Sequence, residues 1–214
     1  MCEAILGAYR EGWFPMADPR RGVIEWVQPE VRGLIPLDGG KAHFARSLRQ
    51  RVRSGRFEMR VDSAVERVIR ACAEPRPGRD ETWIDETIVR AYSALHARGI
   101  VHSVEAWQGG ELVGGLYGVA IGGAFFGESM FSRPESGGTD SSKVCLVHLV
   151  HHLRRGGYVL LDAQFWNPHL EQFGCEGVPR AQYLVRLRAA LETEAHWGEF
   201  EPVRTVAELG NTGA

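Results

Sequence analysis

Three short stretches rich in β-branched and aromatic residues follow one another between residues 101 and 131, separated by glycine turns. The turns are Gln108-Gly109-Gly110 and Ile121-Gly122-Gly123, and glycine adopts at no steric cost the backbone angles that tight turns require. Connections this short join antiparallel neighbours. The sequence therefore predicts a meander of three antiparallel strands, over 101–107, 112–119 and 124–131.

Helical and strand patterns flank this meander on both sides. Apolar spacing and end signals predict six helices, over 1–12, 44–54, 62–72, 85–99, 142–155 and 180–191. Asp62 and Asp85 are the predicted N-caps of two of them. Apolar runs predict further strands at 23–27, 57–61 and 158–165. A meander followed by helix, strand and helix indicates an α+β or mixed α/β fold, and this order matches that of N-acetyltransferase-like acyl-transfer folds.

The composition suits one domain with a small appendage, because 214 residues with 44% hydrophobic residues can bury a core. Leu37-Asp38-Gly39-Gly40 is a predicted hinge. It divides the chain into a small N-terminal domain over 1–38, a catalytic domain over 39–195 and a C-terminal tail over 196–214, which we expect to be loose from residue 198 onward. The first ten residues lack the features of a signal peptide, and the longest apolar run is too short to span a membrane. Four scattered cysteines indicate reduced thiols and a cytoplasmic location.

The charges are unevenly distributed, although the formal net charge is only −2. Between residues 41 and 60, Glu58 is the lone anion among seven cations, which are Lys41, Arg46, Arg49, Arg51, Arg53, Arg56 and Arg60. A basic segment in an acidic protein suits a local contact with phosphate. A solvated arginine-rich helix would have the same pattern, so both interpretations stay open.

Three polar residues interrupt strands that are otherwise apolar. Asp162 and Gln164 lie two positions apart on one strand, so we expect both to face the same side of the sheet. Glu128 lies in an aromatic strand, where a carboxylate needs a cation or a ligand, and Arg133 and Lys143 are candidate partners. Each of these residues has either a structural role at a strand end or a role in binding substrate.

The sequence contains few signals of a metal site, a serine nucleophile or a phosphate-binding loop. His148, His151 and His152 have the spacing of one helix face, but no third ligand follows the pattern of a metal site, so surface histidines are the preferred interpretation. No GxSxG or GxxxxGK[ST] motif occurs in the sequence. Trp26 and Trp83 are candidates for stacking on a nucleobase, with core packing as the alternative.

Several motifs together resemble the leucyl/phenylalanyl-tRNA–protein transferase family, in order along about residues 4–190. The most specific are Gly127-Glu128-Ser129-Met130-Phe131-Ser132 and the downstream Asp162-Ala163-Gln164. The other matching segments are 8–16, 82–84, 102–107, 114–119, 142–144 and 174–180.

The resemblance implies an N-acetyltransferase-like (GNAT-like) α+β fold, in which helices flank a mixed, largely antiparallel sheet and a small N-terminal domain precedes it. It implies a cytoplasmic enzyme that moves Leu or Phe, and Met less well, from aminoacyl-tRNA to the α-amine of proteins beginning with Arg or Lys. The product is an N-terminal degradation signal. We expect a monomer that works without a cofactor, a metal ion or a membrane.

The resemblance also implies site residues. Asp162 and Gln164 match the catalytic pair. The pocket for the donor side chain has Glu128 at its rim and the apolar walls Leu116, Phe125, Leu146, Leu153 and Leu161. Further substrate-binding positions are Ser132 and Lys143, with Trp26 and Trp83 near the terminal adenosine. Acceptor-stem phosphates would face Arg46, Arg49 and Arg53.

An aminoacyl ester is already activated, so the expected mechanism rests on holding amine and ester together. We expect Gln164 to accept a hydrogen bond from the attacking amine and Asp162 to fix the Gln164 amide, with a full proton relay through Gln164 as the rival account. A CoA-dependent N-acyltransferase and a non-catalytic RNA- or peptide-binding module are the alternative functions. An assay with Phe-tRNA, an acceptor beginning with Arg, and acetyl-CoA as control donor separates the three.

Overall fold

The computed structural model describes residues 1–18, 21, 23–38, 42, 44–75 and 82–204. Its strands are β1 (Phe14–Asp18), β2 (Val23–Val27), β3 (Val31–Ile35), β4 (Glu58–Val61), β5 (Val101–Gln108), β6 (Glu111–Ile121), β7 (Ala124–Ser132), β8 (Leu160–Phe165) and β9 (Glu176–Pro179). Its α-helices are α1 (Cys2–Arg10), α2 (Arg46–Arg53), α3 (Val65–Ala73), α4 (Glu86–His96), α5 (Ser141–Arg155), α6 (Pro168–Glu171) and α7 (Arg180–Leu191).

Seven strands form one sheet in the order β4-β5-β6-β7-β8-β3-β9. The strands β5, β6 and β7 are the predicted meander, and their antiparallel pairing is confirmed. β7 and β8 pair in parallel, whereas the other neighbours in this sheet are antiparallel. β1 and β2 form a separate antiparallel hairpin. The predicted α+β class, with helices flanking a largely antiparallel sheet, is confirmed.

A hydrophobic core lies on each face of the sheet. The first core receives the buried sides of α1, α3, α4 and α7, and the second core receives those of α2 and α5. Successive strand residues face opposite sides, so Tyr117 belongs to the first core while its neighbour Leu116 belongs to the second. On β8, Leu160 and Leu161 divide in the same way.

The parallel pairing of β7 with β8 covers only three residue pairs and ends at Phe126 and Asp162. Beyond that point β7 continues to Ser132 and β8 to Phe165. Leu116 and its neighbours on β6 still pair with β7 there, while β8 pairs with β3. The sheet therefore opens between β7 and β8 just where the motif residues Glu128 and Gln164 lie.

β3 is a strand that the sequence analysis did not predict. It lies within the predicted N-terminal domain over 1–38, yet it pairs with β8 and β9 inside the main sheet. The division into domains stays a prediction, and this pairing favours a boundary before residue 31 over one at 38. Of the predicted hinge, Gly39 and Gly40 lie outside the described residues.

The predicted cap of α3 is wrong, whereas that of α4 is confirmed. Asp85 accepts a hydrogen bond from the backbone nitrogen of Ile88 at 2.8 Å. Asp62 instead accepts from the backbone of Ser103, in the neighbouring strand. Ala64 is the N-cap of α3 and has no side-chain cap, while the buried carboxylate of Glu105 accepts a hydrogen bond from the Ala64 backbone nitrogen at 2.8 Å.

The α5 histidines and the C-terminal tail also differ from prediction. His148 and His152 are buried, with only His151 half-buried. They are covered by the C-terminal segment, whose Trp197 ring meets that of His152 at 4.4 Å between centroids. The backbone of Val203 donates to His148 Nδ1 at 3.1 Å. Trp197, Phe200 and Val203 of the tail therefore pack against α5 rather than staying loose, and residues 205–214 lie outside the described part of the chain.

Candidate active site

A cavity of about 290 Å³ lies at the opening between β7 and β8. Apolar side chains dominate its walls, with contributions from β3, β6, β7, β8 and α5. These apolar residues are Ile35, Leu116, Met130, Leu146, Leu149, Leu161, Ala163 and Leu170. Glu128 and Asp162 also border the cavity, together with Ser129 and Asn167. Its size and lining suit a single apolar group with few polar contacts.

Glu128 is buried and accepts three hydrogen bonds. Tyr9 Oη donates to Oε1 at 2.7 Å, Gln164 Nε2 donates to the same oxygen at 3.0 Å, and Tyr92 Oη donates to Oε2 at 3.2 Å. Burial raises the pKa of the Glu128 carboxyl to about 7, and these donors counteract the rise only in part. The carboxyl is therefore divided between its charged and neutral forms near neutral pH.

The predicted cation partners of Glu128 are wrong. Arg133 lies 2.6 Å from Glu74, and Lys143 lies 2.9 Å from Asp140. Two tyrosines and an amide satisfy the carboxylate instead, so no neighbouring side-chain charge among these contacts neutralises it.

Asp162 is fully buried and its carboxylate is held on several sides. Arg32 Nε lies 2.9 Å from both carboxylate oxygens, and Nη2 lies 2.8 Å from Oδ2. Tyr183 Oη donates to Oδ2 at 2.7 Å. Tyr183 belongs to the first core, while Leu161 belongs to the second. Asp162 borders the cavity, but its carboxylate contacts the first core rather than the leucine walls, which belong to the second core.

Gln164 has a left-handed backbone with φ of 64°, which is uncommon for any residue with a side chain. Its backbone nitrogen donates to Asp162 Oδ1 at 2.8 Å, and its side-chain amide donates to Glu128. The expectation that Asp162 fixes the Gln164 amide is thus corrected: Asp162 binds the backbone, and Glu128 binds the amide. Regular strand alternation does not apply at this position, because the backbone is not extended there.

The predicted pocket walls divide into two groups. Leu116, Leu146 and Leu161 border the cavity, as does Glu128. Phe125 and Leu153 are buried in the same second core but do not border it. Phe125 instead packs against the Trp197 ring, at 5.6 Å between centroids.

The other predicted substrate residues lie away from the cavity lining. Ser132 Oγ accepts from the backbone nitrogen of Ser142 at 2.9 Å, in the first turn of α5. Trp26 is about 41% exposed on β2, opposite Pro15. Trp83 is half-buried against the first core.

The α2 arginines lie on the side of that helix that faces away from the second core. Leu48 and Val52 are its buried residues, while Arg46 and Arg53 are exposed. Arg49 is half-buried and donates through Nε to the Phe44 carbonyl at 2.7 Å. Two of the three predicted phosphate ligands are therefore open to solvent.

Sequence reasoning missed four residues of the polar cluster, which are Tyr9, Arg32, Tyr92 and Tyr183. The tyrosines lie on helix faces with apolar neighbours, so their pattern is that of ordinary core residues. Arg32 carried a usable signal, because a charged residue in the apolar run Val31–Ile35 needs a buried partner just as Glu128 does.

The described residues contain no helix long and apolar enough to cross a membrane. The same part of the chain contains no group of three histidine, cysteine or acidic residues placed to hold a metal ion.

Comparisons with known proteins give one consistent result. The family model described as leucyl/phenylalanyl-tRNA protein transferase matches residues 34–188, and the model of that family's N-terminal domain matches residues 2–30. A leucyl/phenylalanyl-tRNA–protein transferase of Chlorobaculum tepidum is 50% identical over 189 residues, which cover 88% of this chain and 94% of that protein. One from Paramagnetospirillum magneticum is 52% identical over 206 residues, covering 96% of this chain and 94% of the relative.

A solved GCN5-related N-acetyltransferase-like protein from Streptococcus suis covers 82% of this chain, and the match covers 63% of that protein. The identity is 17% and the TM-score is 0.39, a similarity too low to support an argument.

Proposed function

The chain belongs to the leucyl/phenylalanyl-tRNA protein transferase family, and from this membership we propose how its cavity and polar cluster carry out the reaction. It is an aminoacyltransferase that moves Leu or Phe from tRNA to the N-terminus of a protein. The substrates are therefore an aminoacyl-tRNA and a protein. The observation that carries the proposal is the apolar cavity at the sheet opening, bordered by Glu128 and next to Gln164.

The cavity is proposed to take the side chain of the donor aminoacyl group. Leu116, Leu146 and Leu161 supply apolar walls from three different elements, which favours side chains that are not branched at Cβ, such as those of Leu, Phe and Met, over those of Ile and Val. Discrimination among such groups is modest, because one methylene is worth about 1–3 kcal/mol.

The acceptor is proposed to be a protein beginning with Arg or Lys. Its α-amine has a pKa of about 7.7–8.0, so about 10–20% of it is neutral at pH 7 and no strong base is required. Gln164 donates through Nε2 to Glu128, which leaves its carbonyl oxygen Oε1 to accept a hydrogen bond from the amine. Glu128 would bind a cation, either the donor ammonium or the basic side chain of the acceptor.

The amine nitrogen attacks the ester carbonyl carbon. An amide C–N bond forms, the ester C–O bond breaks, and one amine proton ends on the ribose oxygen that leaves with the tRNA. Gln164 orients the amine, and proximity supplies most of the gain, up to about 7–11 kcal/mol. Asp162 is proposed to act through the Gln164 backbone rather than on the amine itself.

Gln164→Ala should still bind Phe-tRNA but transfer Phe about 100-fold more slowly to an acceptor beginning with Arg. The matched control is Gln182→Ala, at an exposed position of α7. Single-turnover transfer from radiolabelled Phe-tRNA measures the rate, and acetyl-CoA serves as the control donor. Equal rates in the two variants would remove Gln164 from the mechanism, and acetyl transfer would favour a CoA-dependent enzyme.

Glu128→Gln tests the cation role. We propose that it weakens either donor affinity or the preference for acceptors beginning with Arg over those beginning with Ala. Binding of Phe-tRNA and transfer to paired acceptor peptides measure the two separately. If neither changes, Glu128 does not bind a cation.

The location and the oligomeric state are two further parts of the proposal. The four cysteines are all free thiols, which supports a cytoplasmic enzyme. A monomer is proposed, and sedimentation of the purified chain tests it.

A further inference from the structure

Arg32 contacts several parts of the site, and the mechanism proposed above assigns it no role. Its guanidinium is 1% exposed and lies between the Phe14 ring, at 4.6 Å, and the Tyr183 ring, at 4.7 Å. Nε faces both oxygens of Asp162, and Nη1 donates to the Gly12 carbonyl at 3.1 Å. Its contacts therefore fix the position of the carboxylate, since all donors of the planar group point in set directions.

Asp162 in turn fixes the backbone of Gln164. The hydrogen bond from the Gln164 nitrogen to Oδ1 holds this residue in its left-handed conformation, which a residue with a side chain adopts at a cost. From that conformation the Gln164 amide reaches Glu128 across the gap between β7 and β8. A change in the Asp162 carboxylate is therefore transmitted to the amide two residues later.

The backbone of β3 supports the same arrangement. Arg32 pairs with Phe165, and the regular register shifts before Leu34. A Cβ on Gly33 would lie 2.9 Å from the carbonyl of Phe165 and 2.8 Å from the backbone nitrogen of Trp166. The chain directly after Gln164 is thus held against β3 more closely than a side chain at position 33 would permit.

We propose that Arg32 is a positioning residue for aminoacyl transfer: through Asp162 it sets the Gln164 backbone and thereby aims the Gln164 amide. Arg32 does not touch the substrates in this proposal, and it rests on the proposed role of Gln164. An arginine is required because Nε binds Asp162 while Nη1 donates to the Gly12 carbonyl, and a single lysine ammonium does not supply both donors in this fixed planar geometry. An ion pair with a purely structural role would also join β3 to β8. The test therefore has to distinguish a structural role of Arg32 from a positioning role.

The test is a double-mutant cycle between Arg32→Lys and Gln164→Ala. Arg32→Lys should lower kcat about 10- to 100-fold, the scale of a misplacement by about 1 Å, and leave KM for Phe-tRNA within about twofold. In the Gln164→Ala background the same substitution should change kcat by less than about twofold. Equal losses in the two backgrounds would mean that Arg32 acts independently of Gln164, which overturns the proposal.

The matched control is Arg180→Lys. Arg180 also joins α7 to the N-terminal region, through Glu30 at 3.0 Å, but it does not contact Asp162. The Arg180→Lys variant should retain full kcat. If Arg32→Lys behaves like this control while Gln164→Ala is slow, the inference fails and the proposed function stands. If Gln164→Ala is as fast as the wild type, the proposed function itself fails.

A second variant covers the case in which Arg32→Lys does not fold. Tyr183→Phe removes one hydroxyl donor from Asp162 Oδ2 and keeps the ring that stacks on Arg32. It should lower kcat several-fold in the wild-type background and have no effect in Gln164→Ala. An unchanged kcat in the wild-type background would overturn the proposed transmission through Asp162.

Discussion

At the scale of single residues, Glu128 governs how the site responds to protons. Tyr9, Tyr92 and Gln164 donate to its carboxylate, but burial outweighs them and raises its pKa to about 7. Asp162 adds to the rise as a neighbouring negative charge. A cation placed against the carboxylate favours its charged form, so binding of a cationic substrate is coupled to the release of a proton.

The raised pKa of Glu128 also predicts a pH effect on stability. The folded state binds the Glu128 proton more tightly than the unfolded state, whose pKa is about 4.5. The resulting stabilisation of about 3 kcal/mol is fully present below pH 4.5 and is lost as the pH rises through about 7. Glu128→Gln should remove that loss.

Urea unfolding at pH 5 and pH 7.5 measures this pH-dependent loss of stability. The wild type should lose more unfolding free energy between the two pH values than Glu128→Gln does. Glu111→Gln, at an exposed position of β6, is the matched control. Identical pH profiles of the wild type and Glu128→Gln would show that the carboxyl does not titrate in this range.

The sequence identified the unusual residues of the site but not their partners. Glu128 and Asp162 stand out because a carboxylate in an apolar strand needs an explanation. Tyr9 lies 119 positions before Glu128, and Arg32 lies 130 positions before Asp162. Local patterns contain no information about such pairs, so the sequence predicts partners near Glu128 in the chain, Arg133 and Lys143, which bind other carboxylates.

At the scale of elements, the helix α5 supplies residues both to the wall of the cavity and to the core beside it. Leu146 and Leu153 are seven positions apart on this helix, and only Leu146 borders the cavity. Their positions on one helix face follow from the sequence. Their different surroundings do not, because these depend on where β7 and β8 diverge.

Leu146→Ala should therefore widen the cavity and change donor preference. We expect the ratio of kcat/KM for Phe-tRNA to that for Leu-tRNA to rise about tenfold, since the larger ring gains more from the added space. Leu153→Ala is the matched control: it should cost about 2–5 kcal/mol of stability and leave the ratio unchanged. Transfer assays with the two tRNAs and urea unfolding give both quantities. Equal ratios in the two variants would contradict the assignment of Leu146.

The helix α2 is expected to affect affinity rather than chemistry. Arg46 and Arg53 are its exposed arginines, and a phosphate contact by each adds a salt-dependent contribution to binding. Arg46→Gln with Arg53→Gln should raise KM for Phe-tRNA and reduce the slope of log affinity against log salt by about 2, with kcat unchanged. Arg188→Gln, exposed on α7, is the control. An unaltered salt slope would mean that α2 does not contact the tRNA.

At the scale of the whole molecule, the C-terminal segment completes the second core. Trp197 stacks on His102 at 4.1 Å between ring centroids and meets His152 at 4.4 Å. The composition after residue 191 is acidic and gives little sign of this packing. The class of fold and the meander were predictable because they depend on local turns, whereas this segment depends on contacts across the molecule.

Trp197→Ala should lower the unfolding free energy by about 2 kcal/mol, because a large apolar side chain loses its partners. The kcat of the folded variant should stay unchanged, since Trp197 does not border the cavity. Thermal unfolding and the transfer assay measure the two effects. A large loss of kcat at a temperature where the variant is fully folded would link the segment to the reaction.

The short parallel pairing of β7 with β8 has a consequence for the evolution of the chain. The cavity exists because the backbones of β7 and β8 diverge after Phe126 and Asp162, and not because small side chains line it. We therefore expect substitutions in its lining to change the preferred acyl group without closing the gap between the strands.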